Sequence, residues 1–187
     1  MNLFTYLLST TFILLVIVLY LCTTYNSFIR ARNKVKTDFA DIDVQLKRRT
    51  SLIENLVEVV REYAKHEKTT FENVAKARSA LNEPHGPKES EKIENMLTST
   101  LKSLFAVSES YPDLQASQNF QRLQGDIKET ENLIAQYRET YNQSVMDFNT
   151  MVQTFPNLLV ASSFGFNEEE LFQPGVGGRD EVKITSK

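Results

Sequence analysis

The chain has 187 residues, 41% of them hydrophobic and 24% charged, with a formal net charge of -3 and a single cysteine. These values exclude a collagen repeat, a disulfide mini-protein and a fully disordered chain, and the lone Cys22 excludes both an intramolecular disulfide and a cysteine metal cluster. A pI near 5.5 argues against nucleic acid as a partner, because phosphate binding usually shows as a basic domain. The averages conceal a split, since residues 1–29 carry no Asp, Glu, Lys or Arg and the charged residues in the remainder reach a density of about 28%.

The first predicted element lies in that uncharged part. Leu3 to Cys22 is a run of 20 residues interrupted only by Thr5, Ser9, Thr10 and Thr11. At about 1.5 Å per residue it spans roughly 30 Å, the thickness of a bilayer's hydrocarbon core. Ser and Thr are tolerated there because their hydroxyls can bond back to carbonyls of the same helix, and Tyr20 and Tyr25 fall where amphipathic rings meet the interface. A cleaved signal peptide would need a basic leading region, yet no Lys or Arg precedes Arg30. A lipoprotein signal would put a small residue before Cys22, where Leu21 stands. Residues 1–29 are therefore expected to form a transmembrane anchor with a short linker. Its membrane-spanning core is Phe12, Ile13, Leu14, Leu15, Val16, Ile17, Val18 and Leu19. Arg30, Arg32, Lys34 and Lys36 follow closely, and the bias of basic residues predicts the N-terminus outside and the domain in the cytoplasm.

The domain, expected over residues 30–172, reads as helices. Residues 1–83 contain neither Gly nor Pro, which favours helix over turn. Apolar residues recur in steps of three and four, or in sums of these, at Val35, Phe39, Ile42, Leu46, Ile53, Leu56, Val60, Tyr63, Val74 and Leu81, the pattern of a helix packed along one stripe. A second helix is predicted from about Lys88 to Ser110, with Ile93, Met96, Leu97, Leu101, Leu104 and Phe105 inward and Pro112 ending it. A third carries Phe120, Leu123, Ile127, Ile134, Tyr137, Tyr141, Phe148, Val152 and Phe155. A short fourth segment runs from Pro156 to Phe166, after which Asn167 would cap a last turn holding Glu168, Glu169 and Glu170. Residues 173–187 read as a flexible tail. A first helix from Arg30 to Leu81 would be about 78 Å long, against about 35 Å and about 60 Å for the next two, so a bend or break is expected near Thr69 and Thr70 or near Gly125.

Chemistry is sparse. His66 and Glu67 begin a zinc-protease pair, but position 70 is Thr where a second His is required, and Glu62 to His66 has the wrong spacing for a di-iron bundle. Gly175, Gly177 and Gly178 lack the strand and helix that frame a phosphate loop. No catalytic residue, metal ligand or cofactor is predicted. Candidate interaction residues are Lys47, Arg48 and Arg49, the densest basic cluster, and Leu158, Leu159, Phe164 and Phe166 of the fourth segment. Arg49 also occupies a heptad position from which it can pair with a facing Glu such as Glu131. The fourth segment either closes the bundle core or presents an apolar patch.

In order and spacing, several blocks resemble the LemA family. They include Ile42-Asp43-Val44-Gln45-Leu46-Lys47-Arg48-Arg49, Asn55-Leu56-Val57-Glu58, Tyr63-Ala64 with His66-Glu67, and Ala77-Arg78. Later blocks are Tyr111-Pro112-Asp113-Leu114, Asn119-Phe120, Thr130-Glu131, Tyr141-Asn142, Phe148-Asn149, Phe155-Pro156 and Phe164-Gly165-Phe166. The resemblance covers roughly residues 23–172. It implies a bacterial inner-membrane protein with one N-terminal span and an all-α, up-and-down four-helix bundle of long antiparallel helices. It implies no established enzymatic activity and no known cofactor, and one branch of the family is associated with magnetosome membranes. Members usually read Asp-Leu-Ile-Pro-Asn where this chain has Ser51-Leu52-Ile53-Glu54-Asn55, so the first helix is expected to run straighter here.

The expected function is a non-catalytic, membrane-anchored helical scaffold or interaction module. A rival is an accessory or sensor subunit presenting a partner to a membrane protease or hydrolase, and a more distant one is a metal-dependent bundle enzyme. The expected partners are the lipid bilayer and a protein of unknown identity, with homo-oligomerisation left open.

Overall fold

The computed structural model describes residues 3–63, 76, 79–83 and 85–172. The chain is all-α, with no strand among the described residues. Among the described residues its main helices are α1 (Leu3–Tyr63), α2 (Pro87–Ser108), α3 (Pro112–Ala116), α4 (Gln118–Gln153) and α5 (Asn157–Phe164). His66, Thr69, Thr70, Val74 and the expected tail from 173 lie outside the described residues.

Helix α1 is continuous over 61 residues, as its lack of Gly and Pro allows. Glu54, unlike a proline, keeps the helical ladder intact, and the preceding Ile53 is fully buried. Proline punctuates differently from the sequence expectation. Helix α2 ends at Ser108, and Pro112 opens α3 as its first helical residue, where a missing N–H costs nothing. Gly125 does not break α4, which passes through it without interruption.

Contacts gather the chain into two compact units, one made of Met1–Asp38 and Thr140–Glu170, the other of Phe39–Glu139 and Leu171–Lys187. In the second unit α1 and α2 run in the same direction, because Asp43 meets His85 and Arg49 meets Thr98. Helix α4 runs against both: Glu94 pairs with Arg138 while Phe105 packs edge-on against Phe120. The core of this unit is Ile42, Leu46, Ile53, Leu56 and Val60 of α1, Ile93, Leu97, Leu101 and Leu104 of α2, and Leu123, Ile127 and Ile134 of α4, closed by Leu81, Leu114 and Phe172. These stripes follow the predicted steps of three and four. Met96 and Phe105 are only half-buried, and Tyr63 is exposed at the helix end.

The first unit has a smaller core built on aromatics. Phe28 is fully buried, stacked on Phe166 at 4.7 Å between ring centres and edge-on to Phe148 at 6.2 Å. Val35, Tyr141, Val145, Val152, Val160 and Ala161 complete it. Gly165 takes a φ of 70°, a left-handed conformation that favours glycine. This ends α5, and the Phe166 amide returns to the Ala161 carbonyl at 3.0 Å. Beyond it the expected turn capped by Asn167 does not form. Residues 166–170 have no helical structure, because side chains of α4 satisfy their backbone instead. Asn149 donates to the Glu169 carbonyl and accepts from the Glu169 amide, both at 2.9 Å, and the Tyr141 hydroxyl donates to the Glu170 carbonyl at 2.8 Å.

Candidate functional site

The residues predicted to span a membrane sit in the first half of α1. From Phe12 to Leu19 each residue is between 47% and 66% exposed, so no other described part of the chain covers them. The Ser9, Thr10, Thr11 and Thr23 hydroxyls that flank this stretch are satisfied within the helix. Ser9 and Thr10 donate to the Tyr6 carbonyl at 2.9 and 3.0 Å, Thr11 to that of Leu7 at 2.6 Å, and Thr23 to that of Leu19 at 2.9 Å. An uncovered apolar surface on a helix with its hydroxyls turned inward on its own carbonyls is what a hydrocarbon environment requires. Burial by protein begins at Thr24 and Phe28.

Where that stretch ends, α5 lies alongside it. The Tyr20 hydroxyl donates to Asn157 Oδ1 at 3.0 Å, and the Tyr25 ring sits 4.9 Å from that of Phe164 and 5.7 Å from that of Phe166. The structure divides the apolar residues of this segment. Val160, Ala161 and Phe166 go into the core, whereas Phe155 (80% exposed), Leu159 (59% exposed), Leu158 and Phe164 face outward. Phe155 thus leaves the inward stripe that its spacing suggested, because α4 has already ended at Gln153. Phe148 to Asn167 are 20 consecutive residues without Asp, Glu, Lys or Arg. This second uncharged run is the sequence signal that periodicity alone passes over.

The basic cluster is also divided. Lys47 and Arg48 are exposed, and Arg48 reaches Glu129 only at 3.8 Å. Arg49 is buried in the second unit, donating from Nη2 to Glu131 Oε1 at 2.6 Å and to Thr98 Oγ1 at 3.1 Å. It is therefore withdrawn from any surface patch. Nearby, an open depression of about 160 Å³ is lined by Lys47, Thr50, Ser51, Glu54, Leu81 and Asn82. Arg138 lies across the Phe172 ring at 5.0 Å while it pairs with Glu94 at 3.0 Å. His85 makes two contacts that sequence reasoning missed, Nε2 to Asp43 Oδ1 at 2.9 Å and Nδ1 to the Glu83 carbonyl at 2.7 Å. These pairs tie helices together and present no nucleophile beside a base. Among the described residues no group of three or more His, Cys, Asp or Glu converges on a point where a metal could sit.

The titration of Tyr141 is the clearest electrostatic feature. Burial, reinforced by the carboxylates of Glu169 and Glu170, pushes its phenol up to about 12, so the hydroxyl stays protonated and donates to the Glu170 carbonyl. Its role is to hold the 166–170 segment against α4.

Magnetosome protein MamQ 2 and Magnetosome protein MamQ 1 of Paramagnetospirillum magneticum are each 23% identical to the chain, and Magnetosome protein MamQ of Magnetospirillum gryphiswaldense is 22% identical. Each alignment covers 82% of this chain and 66% of the relative, so the chain spans just under two thirds of the length of these proteins. The family model described as LemA family matches residues 38–185. With most of its length matched, the chain belongs to the LemA family.

Proposed function

We propose that this protein is a membrane-anchored helical scaffold or interaction module without catalytic activity, held in a bacterial inner membrane by residues 1–29. Residues 30–172 act as its bundle domain on the cytoplasmic side. The observation that carries this reading is the uncovered apolar surface of Phe12–Leu19 on a helix that continues into buried positions at Phe28, Val35 and Ile42. Such a helix is soluble as a monomer only when its first turns are in lipid. The ion pairs of the second unit join one helix to another, which serves structure rather than chemistry, and the exposed Lys47 and Arg48 leave a polar surface open to a partner. Anchoring concentrates that surface at the bilayer, so that weak contacts with a protein partner or a second copy become effective.

Two measurements test this reading. Protease added to spheroplasts should leave the bundle domain intact; its digestion would overturn the cytoplasmic placement. Crosslinking in the native membrane should capture a defined protein partner. Recovery of lipid and self alone would replace the partner reading with self-assembly.

A further inference from the structure

We propose that α5 is a second membrane contact, lying in the interfacial layer of the same bilayer that α1 enters, with Phe155, Leu158 and Leu159 directed into lipid. The inference rests on the membrane anchoring proposed above and adds to it a site that α1 does not require. Three observations carry it. The Tyr20–Asn157 hydrogen bond of 3.0 Å fixes the start of α5 at the level of Tyr20, two residues from the end of the apolar run that closes at Cys22. A run of that length fills the hydrocarbon core, so Tyr20 and everything bonded to it stand at the boundary with the headgroups. The outward side chains at this level are apolar, with Phe155 80% and Leu159 59% exposed, although the core of the unit is complete without them.

Composition supplies the third observation. The 20-residue stretch from Phe148 to Asn167 has no charged side chain, so no charge in α5 would have to be desolvated on entering the interface. Glu168, Glu169 and Glu170 follow immediately, and Arg30 and Arg32 begin the charged part of α1. The two uncharged stretches of the chain therefore meet through Phe28, Phe148 and Phe166, with their charges starting beyond that contact. A short apolar helix lying in the interface gains from burying its outward face, and Tyr20 and Tyr25 are the ring types that favour this depth. The host bilayer is the one occupant already present at this level.

The test uses the full chain with Cys22→Ser, reconstituted in phosphatidylcholine/phosphatidylglycerol vesicles and carrying one fluorophore on a cysteine introduced as Leu159→Cys, Leu15→Cys or Lys102→Cys. Quenching by a nitroxide on the upper acyl chain of the lipid is compared with quenching by aqueous iodide. We expect the Leu159→Cys probe to lose about half its emission or more to the lipid quencher, and to be roughly fivefold less sensitive to iodide than the Lys102→Cys probe. A lipid-quenched Leu15→Cys probe together with an iodide-accessible Leu159→Cys probe would overturn the inference and leave the anchor standing. Iodide protection at Leu159→Cys without lipid quenching, lost when protein is diluted in lipid, would mean that a second copy covers the face, and would also overturn it. Absence of lipid quenching at both positions would overturn the anchor and the inference with it.

Discussion

The Arg49 guanidinium donates to Glu131 Oε1 at 2.6 Å, with the arginine side chain 3% exposed and its partner 44% exposed. The two ends of this pair are unequal. Glu131 can be solvated when alone, whereas Arg49 cannot, and its Nε already lacks a partner. Removing one member of a buried pair costs about 3–5 kcal/mol because it strands the other charge, a figure reduced here by the exposure of Glu131. Glu131→Ala is therefore expected to destabilise the protein by about 1–3 kcal/mol. Arg49→Met, which strands only a solvated carboxylate, should cost less. Denaturant unfolding of the two variants checks the order, and the double variant should match Arg49→Met.

Tyr141 gives a pH dependence with a definite sign. Its phenol is raised from 10.0 to about 12 in the folded chain, so between these values the unfolded state has released a proton that the folded state still holds. The contribution is full below pH 10, declines as pH rises toward 12 and is absent above. Unfolding midpoints measured from pH 8 upward should fall more steeply for the wild type than for Tyr141→Phe. The difference absorbance of the two proteins should place this one phenolate at the alkaline end of the titration.

Two glycines should respond oppositely to the same substitution. Gly125 lies within α4, and a Cβ there would meet nothing within 4 Å, so Gly125→Ala should stabilise by about 1 kcal/mol through helix propensity. Gly165 is equally uncrowded but has φ +70°. Gly165→Ala should destabilise by about 1–2 kcal/mol through backbone strain alone. Thermal unfolding of both variants measures the pair.

Asn149 holds Glu169 by two reciprocal hydrogen bonds of 2.9 Å. Asn149→Ala should cost about 1–3 kcal/mol, since both partners are backbone groups with no other polar side chain bonded to them at that point. The same substitution should lower the Tyr141 titration midpoint, because Glu169 and Glu170 help to raise it. A stability loss with no change in that midpoint would show that Tyr141 alone retains the segment.

Much of this architecture is legible in the residue order. The steps of three and four name Ile42, Leu46, Ile53 and Leu56 as core, and they are buried. The heptad position of Arg49 points across to Glu131, and the pair is present. The illegible parts have a common physical cause: they depend on one side chain meeting a backbone group far along the chain. The acidic run after Asn167 resembles a helix start, and the Asn149 and Tyr141 side chains, 20 and 29 residues away from their partners, hold it extended. Periodicity likewise assigns Phe155 inward because it cannot see where α4 stops. The candidate site is half visible: the apolar letters of the 155–166 segment are evident, but which of them face inward is not, and Phe166 reaches the core only after the turn at Gly165.

The pairing of Tyr20 with Asn157, 137 residues apart, sets an order of events during synthesis. Phe28 leaves the ribosome well before its aromatic partners Phe148 and Phe166. At roughly 5–20 residues per second, Phe28 and Val35 wait several seconds before their own core exists. A chain halted before Phe148 would thus carry the uncovered apolar surface of Phe12–Leu19 and an open apolar stripe together. Completion of the last uncharged stretch is the step that turns an adhesive nascent chain into a closed unit.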